Sequence, residues 1–178
     1  IGAIDLKAID TAASATVAVS AAVDVQTLTQ LGSATYTGAA AATSSATLSG
    51  DATFTSTLIA PEVNITAGTT TFNAKVTAST DVDVSGANTV VNFNTAASDL
   101  GELEVDDGQV NINIKAMDIG DLDLNSGEIV LSKTAFASGD TVFKTSGQAN
   151  ALATGSKIYM PASLKTNETL LLFDDGGT

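Results

Sequence analysis

Three short phrases hold much of the acid in this chain: "DVDV" (Asp81, Asp83), "ELEV" (Glu102, Glu104) and "DLDL" (Asp121, Asp123). In each, one apolar residue separates two carboxylates, so on an extended strand both acids point to the same face. Asp140 follows Gly139 as Glu102 follows Gly101 and Asp121 follows Gly120, which extends the series. If the phrases stack, Asp81, Glu102, Asp121 and Asp140 form one outward column. Asp83, Glu104 and Asp123 form a second beside it. Carboxylates about 5 Å apart repel by about 1 kcal/mol per pair even in water. Ca2+, which takes several oxygen ligands, would relieve that repulsion, and these seven acids are the candidate metal ligands. The plainer expectation is a solvated acidic face that keeps a β-rich rod soluble and needs no cofactor.

Sharper chemistry is poorly supported. Asp121, Asp123 and Asn125 occupy the first, third and fifth places of a calcium loop. Ser126 then stands where such a loop needs Gly, and Ser132 where it needs Glu. With no His and no Cys, the usual nucleophilic triads are excluded, and so are disulfides. Paired carboxylates can cleave glycosides. A catalytic pair should interrupt a repeat, however, and these acids obey one, so the chain is read as not an enzyme. "NIT" at Asn64 and "NET" at Asn167 match the glycosylation sequon, a frequent coincidence in Thr-rich chains. "DDGGT" at the end reads as a turn or linker.

The formal charge of −13, from 7 basic and 20 acidic residues, disfavours nucleic acid and anionic membrane as partners. No apolar run is long enough for a membrane helix. Aromatics make up only 4% of a chain rich in Thr, Ala, Ser and Gly. Such a composition predicts a core of small and β-branched residues in thin, closely spaced layers.

What positions the acids is a repeat. Val17, Tyr36, Phe54, Phe72, Val91, Val110 and Ile129 follow one another at intervals of eighteen or nineteen residues. A second apolar track runs through Ile65, Val84, Val105 and Leu124, extending forward to Phe143 and back to Leu48 and Leu28. Each member lies in an alternating stretch, which argues for strand. Gly50, Gly68, Gly86, Gly108 and Gly127 mark the links between tracks.

A unit this short cannot bury its apolar face alone, so the units must stack. The reading is all-β: a parallel β-solenoid with coils of about 19 residues. An antiparallel meander of hairpins, with "DDG", "NSG" and "TAG" as turns, and a tandem β-sandwich are the alternatives. A membrane β-barrel is disfavoured by the lack of aromatic girdles. Like residues at equivalent positions (Asn92 and Asn111, Asn94 and Asn113) favour the solenoid, since stacked amides can bond along it. About nine coils would make a rod of roughly 45 Å. Residues 1–147 form the solenoid region. The period fades after Gly147, so 148–178 is an irregular or capping segment continuing into a longer, processed protein.

"DVDVSGANTVVNFN", "ELEVDDGQVNINI" and "DLDLNSGEIVLS" resemble coils of bacterial autotransporter passengers and related repeat-rich surface adhesins. The Thr/Ala-rich stretch "SATYTGAAAATSSATLSGDATFTST" is similar to secreted surface-layer proteins. The resemblance lies in pattern and composition and supplies no catalytic residues. It implies export, a cell-surface address and a structural or adhesive role, with filament or surface-layer assembly. Expected partners are copies of the chain, adjacent repeats, or a host or cell-surface glycan or protein. The alternatives are a carbohydrate-active β-helix of tail-spike type and a calcium-stabilised binding module.

Overall fold

The computed structural model describes residues 6–12, 16–94, 98–132, 136–146, 151–161, 164–165 and 167–174. Long and short strands alternate along the chain. The long ones are β1 (Leu6–Thr11), β3 (Val23–Gln30), β5 (Ala40–Leu48), β7 (Leu58–Ile65), β9 (Val76–Val84), β11 (Asp99–Val105) and β13 (Met117–Leu124). The short ones are β2 (Thr16–Val19), β4 (Ser33–Tyr36), β6 (Ala52–Phe54), β8 (Thr69–Phe72), β10 (Val90–Phe93), β12 (Gln109–Ile112) and β14 (Glu128–Leu131). Each long strand pairs with the next long strand and each short with the next short, always parallel among the described residues. This is a β-solenoid, and parallel pairing removes the meander.

Six coils run without interruption from β3 to β14, and β1 and β2 begin a further turn. At about 4.8 Å per coil the six span roughly 29 Å, shorter than nine coils would give. The regular step ends because β15 (Thr141–Thr145) covers only the first half of β13, Met117 meeting Phe143. Its second half is covered by β16 (Ala151–Leu152), Leu124 meeting Leu152. What was one long strand in earlier coils is here two, with residues inserted between them. β17 (Lys157–Tyr159) on β14 and β18 (Leu171–Asp174) on β15 still extend both sheets. The expected boundary at residues 147 and 148 lies outside the described residues.

The core is built from vertical columns. Val91, Val110 and Ile129 stack directly. So do Leu48, Ile65, Val84, Val105 and Leu124. Other steps of the expected tracks are corrected. Tyr36 sits on Val19 rather than Val17, and Phe72 on Phe93 rather than Val91. Leu48 sits on Gln30 while Leu28 meets Ala46, and Phe143 sits on Met117. From β1 to β14 the coil step varies between 17 and 22 residues, and a two-residue change keeps strand parity. An inward residue therefore stays inward while moving to the neighbouring column, so the sequence pattern looks unbroken.

The corrected columns show how the thin core is filled. Tyr36, Phe54, Phe72 and Phe93 form one stack, with successive ring centroids 4.5, 5.3 and 5.3 Å apart. Beside the first three rings the adjacent column carries Ala34, Ala52 and Thr70. Where the rings give way to Ile112 and Leu131, that neighbour becomes Val110 and Ile129. Large beside small and medium beside medium keep the layer volume nearly constant, as close packing requires. The aromatic stack departs from the expected core of small and β-branched residues.

The long strands bend midway, where two consecutive residues face outward: Thr43 and Ser44 in β5, Ser79 and Thr80 in β9. In β11 and β13 the bend falls at Gly101 and Gly120. A Cβ on Gly120 would lie 2.0 Å from the Gly101 carbonyl oxygen, and one on Gly101 would lie 2.3 Å from that of Thr80. Adjacent coils approach too closely there for any side chain. Gly139, by contrast, has φ +85 and nothing within 4 Å of an added Cβ, so the third Gly–acid pair has a different role.

Candidate functional site

The second halves of the long strands present the acids. Their inward residues (Val82 and Val84, Leu103 and Val105, Leu122 and Leu124) are buried, and period-two alternation turns the residues between them to the surface. Register then stacks them: Glu62 beside Asp81, Glu102 beside Asp121, and Asp83, Glu104 and Asp123 in one file. The β9–β11 pair shifts register between Leu100 and Leu103, so Asp81 and Glu102 are brought near each other without being direct partners. Six of the seven candidate ligands thus share one face.

Asp140 does not join them. It precedes β15, which overlies the first half of β13, and its carboxylate accepts from Lys115 Nζ at 2.7 Å and from the Ala137 amide at 2.6 Å. Those contacts hold its pKa below the usual carboxylate value, led by the Lys115 bond.

The six-acid face is strained electrostatically. Burial, and then the Glu62 charge, raises the pKa of Asp81. Burial also leads for Asp83, followed by Asp106 and Asp81, with the Ser85 hydroxyl pulling the other way. Glu102 is raised by burial and then by Asp123, Asp121 and Asp81; Glu104 by burial and then chiefly by Asp106 and Asp83. One oxygen of Asp81 and one of Asp83 are shut off from solvent without a hydrogen-bond partner. Asn125, one coil above Asp106, supplies relief: its Nδ2 donates to Asp106 at 2.7 Å and to Glu104 at 3.3 Å. Asp106 was missed from the sequence, and Asn125 was weighed only as the fifth place of a calcium loop, because both lie in the corner after the strand. Their nineteen-residue separation was the available signal.

Among the described residues, no three acidic side chains converge as ligands of one metal ion. Stacking sets the carboxylates in a line along the rod, each coil adding one or two, rather than around a point. That arrangement attracts a diffuse cloud of counterions more readily than it chelates one ion.

Two shallow grooves lie on the other sheet. One, of about 470 Å³, includes Asp107 and Glu128. Glu128 is held by Lys157 at 2.7 Å and by Tyr159, which lowers its pKa, so it is a poor proton donor for glycoside cleavage. The other, of about 520 Å³, is lined by Asn92, Asn111, Asn113, Val130, Leu131, Ser132 and Met160, without a charged group. Of the two sequons, Asn64 faces outward half-buried on β7 and Asn167 is exposed. Of the "DDGGT" segment, Asp174 ends β18 and the rest lies outside the described residues. No protein family, curated protein or solved structure matches the chain.

Proposed function

We propose that this chain is a structural or adhesive segment of an exported cell-surface protein, working as a stiff repeat scaffold. The observation that carries the reading is the unbroken parallel ladder in both sheets from β1 and β2 through β18 and β17. From β3 to β14 each coil is bonded to the next through both sheets, so bending the rod means breaking many backbone bonds together. From β1 to β14 the links between strands are two to five residues long, which leaves proteases few openings there. Both sheets end in strand edges, at β1 and β2 and at β18 and β17. Such edges favour continuation by adjacent repeats or by further copies of the chain in a filament or surface layer. The lined-up carboxylates keep the rod soluble and would gather cations such as Ca2+ without requiring them for folding.

Surface labelling tests the address. Antibody raised against this chain should decorate intact cells of the source organism. Labelling only after the envelope is permeabilised would contradict the proposal. Scattering should show an elongated particle, and a compact one would remove the spacer role.

A further inference from the structure

The outward face of the short-strand sheet is hollowed near the end of the regular coils. The groove of about 520 Å³ there takes its side chains from two outward files. Asn92, Asn111 and Val130 are register partners on successive coils, and Asn113 and Ser132 lie two residues further along their strands. Met160, 53% exposed, closes the end beyond Val130. One part of the groove is therefore built of amides and the other of aliphatic and thioether surface. The neighbouring outward file ends in Glu128 and Lys157, which pair with each other at 2.7 Å and do not line the groove.

The amides are fixed before any ligand arrives. Asn111 donates to Asn92 at 2.8 Å and accepts from Gln109 Nε2 at 2.6 Å. Asn92 donates to Thr71 at 3.2 Å, and Asn113 donates to Asn94 at 2.7 Å. Each of the three lining amides uses one N–H in this way and keeps a second for a ligand. Polar groups already held in place lose little entropy on binding.

The same construction narrows the class of ligand. The backbone groups of β10, β12 and β14 are committed to the parallel ladder between coils, so the floor of the groove offers none to an added peptide strand. The groove holds no charged group to anchor an ionic ligand, and the net charge of −13 repels an anionic one. What it does offer is neutral donors and acceptors beside an apolar surface. A pyranose ring has the matching parts: hydroxyls around its edge and C–H groups on its faces. A shallow, open groove suits a stretch of polymer laid in from the side better than a small molecule that needs enclosing. We propose that this groove binds a neutral polysaccharide, with Asn92, Asn111 and Asn113 meeting hydroxyls and Val130 and Met160 meeting a sugar face. The proposal gives the adhesive half of the proposed function a ligand class and rests on that reading for its biological setting.

Affinity electrophoresis of the whole chain tests it, in native gels containing a soluble β-glucan, a galactomannan or a dextran, with polygalacturonate as the anionic comparison. At least one neutral polymer should slow the native chain, and polygalacturonate should not. Asn111→Ala and Met160→Ala should each weaken that retardation by roughly three- to tenfold, as the loss of one neutral contact implies. Asn64→Ala, facing outward on the other sheet, should leave it unchanged. Circular dichroism reports folding; if Asn111→Ala fails to fold, Met160→Ala, at an exposed position, decides the outcome. No retardation by any neutral polymer overturns the proposal, as does full retardation of the folded groove variants or stronger retardation by polygalacturonate. Groove-dependent retention on gelatin without any on the polysaccharides also overturns it, and would give the groove to a polypeptide. Surface labelling and scattering read the address and the shape whatever the gels show, so a failure here removes the ligand and leaves the scaffold.

Discussion

Phe72→Ala is the substitution that reads the column packing most directly. Phe72 is 1% exposed and lies between Phe54 and Phe93, with both ring centroids 5.3 Å away. Removing a buried Phe side chain costs about 3–5 kcal/mol when the site cannot collapse. Here collapse is prevented by the backbone ladders above and below, so a loss of about 4 kcal/mol is expected by the same rule. Each stacked ring pair adds about 1 kcal/mol beyond area burial. A double-mutant cycle of Phe72→Ala with Phe93→Ala should therefore return a coupling of about 1 kcal/mol. The same cycle for Phe54 and Phe93, two coils apart, should return close to none. The assay is urea unfolding followed by circular dichroism, with the midpoint shift read at constant slope. A loss under about 1.5 kcal/mol would mean the site is not a packed column. Equal coupling in the two cycles would refute the layer-by-layer order of the rings.

Three further outcomes follow from other parts of the molecule. Gly120→Ala places a methyl group 2.0 Å from the Gly101 carbonyl and should destabilise the chain by about 2–3 kcal/mol, the cost of overpacking; an unchanged melting temperature would show that the coils are not in contact at the bend. Asp81, Asp83, Glu102 and Glu104 all have raised pKa values, so the folded state holds their protons more tightly than the unfolded chain does. Their stabilising contribution is complete below the ordinary carboxylate range and is lost as pH rises through the folded values. Asp140 and Glu128, half-buried and paired with Lys115 and Lys157, act oppositely but are two against four. Melting temperature should therefore rise between about pH 7 and about pH 4.5, and a fall would contradict the strain assigned to the acid face. Because no three carboxylates converge among the described residues, CaCl2 and NaCl at equal ionic strength should raise the melting temperature alike; a larger effect of Ca2+ would reveal a chelating site.

The period was legible because burial on one face and corners at fixed intervals leave a mark in residue type. Val91, Val110 and Ile129, like Ile65, Val84, Val105 and Leu124, could be aligned by counting. The steps at Tyr36, Leu48 and Phe93 where counting failed share one cause. A coil lengthened or shortened by two residues keeps the inward-outward alternation, so Phe93 could exchange places with Val91 without disturbing the pattern. The aromatic stack was hidden by that exchange. Asp140 was misplaced because a Gly–acid pair at the right interval looks the same whether or not the strand beyond it spans the full width of the coil. Of the seven acids read from the sequence, the six dictated by strand alternation lie on the acid face; Glu62, beside Asp81, joins them and was not read. The corner contribution to the face, Asp106 held by Asn125, was not legible, because the inward–outward alternation that places the other acids does not continue through the corner.

The absence of Cys from the chain permits a direct chemical measurement of the stacking. Asn92 and Asn111 are register partners on adjacent coils, and Thr71 and Asn111 lie two coils apart. Neighbouring strands bring α-carbons to about 4.8 Å, within disulfide reach, while two coils place them at about 9.6 Å, beyond it. Under mild oxidation, Asn92→Cys with Asn111→Cys should cross-link within the monomer nearly to completion. Thr71→Cys with Asn111→Cys should stay reduced. A failure of the first pair, or equal yields from the two, would contradict the in-register parallel solenoid.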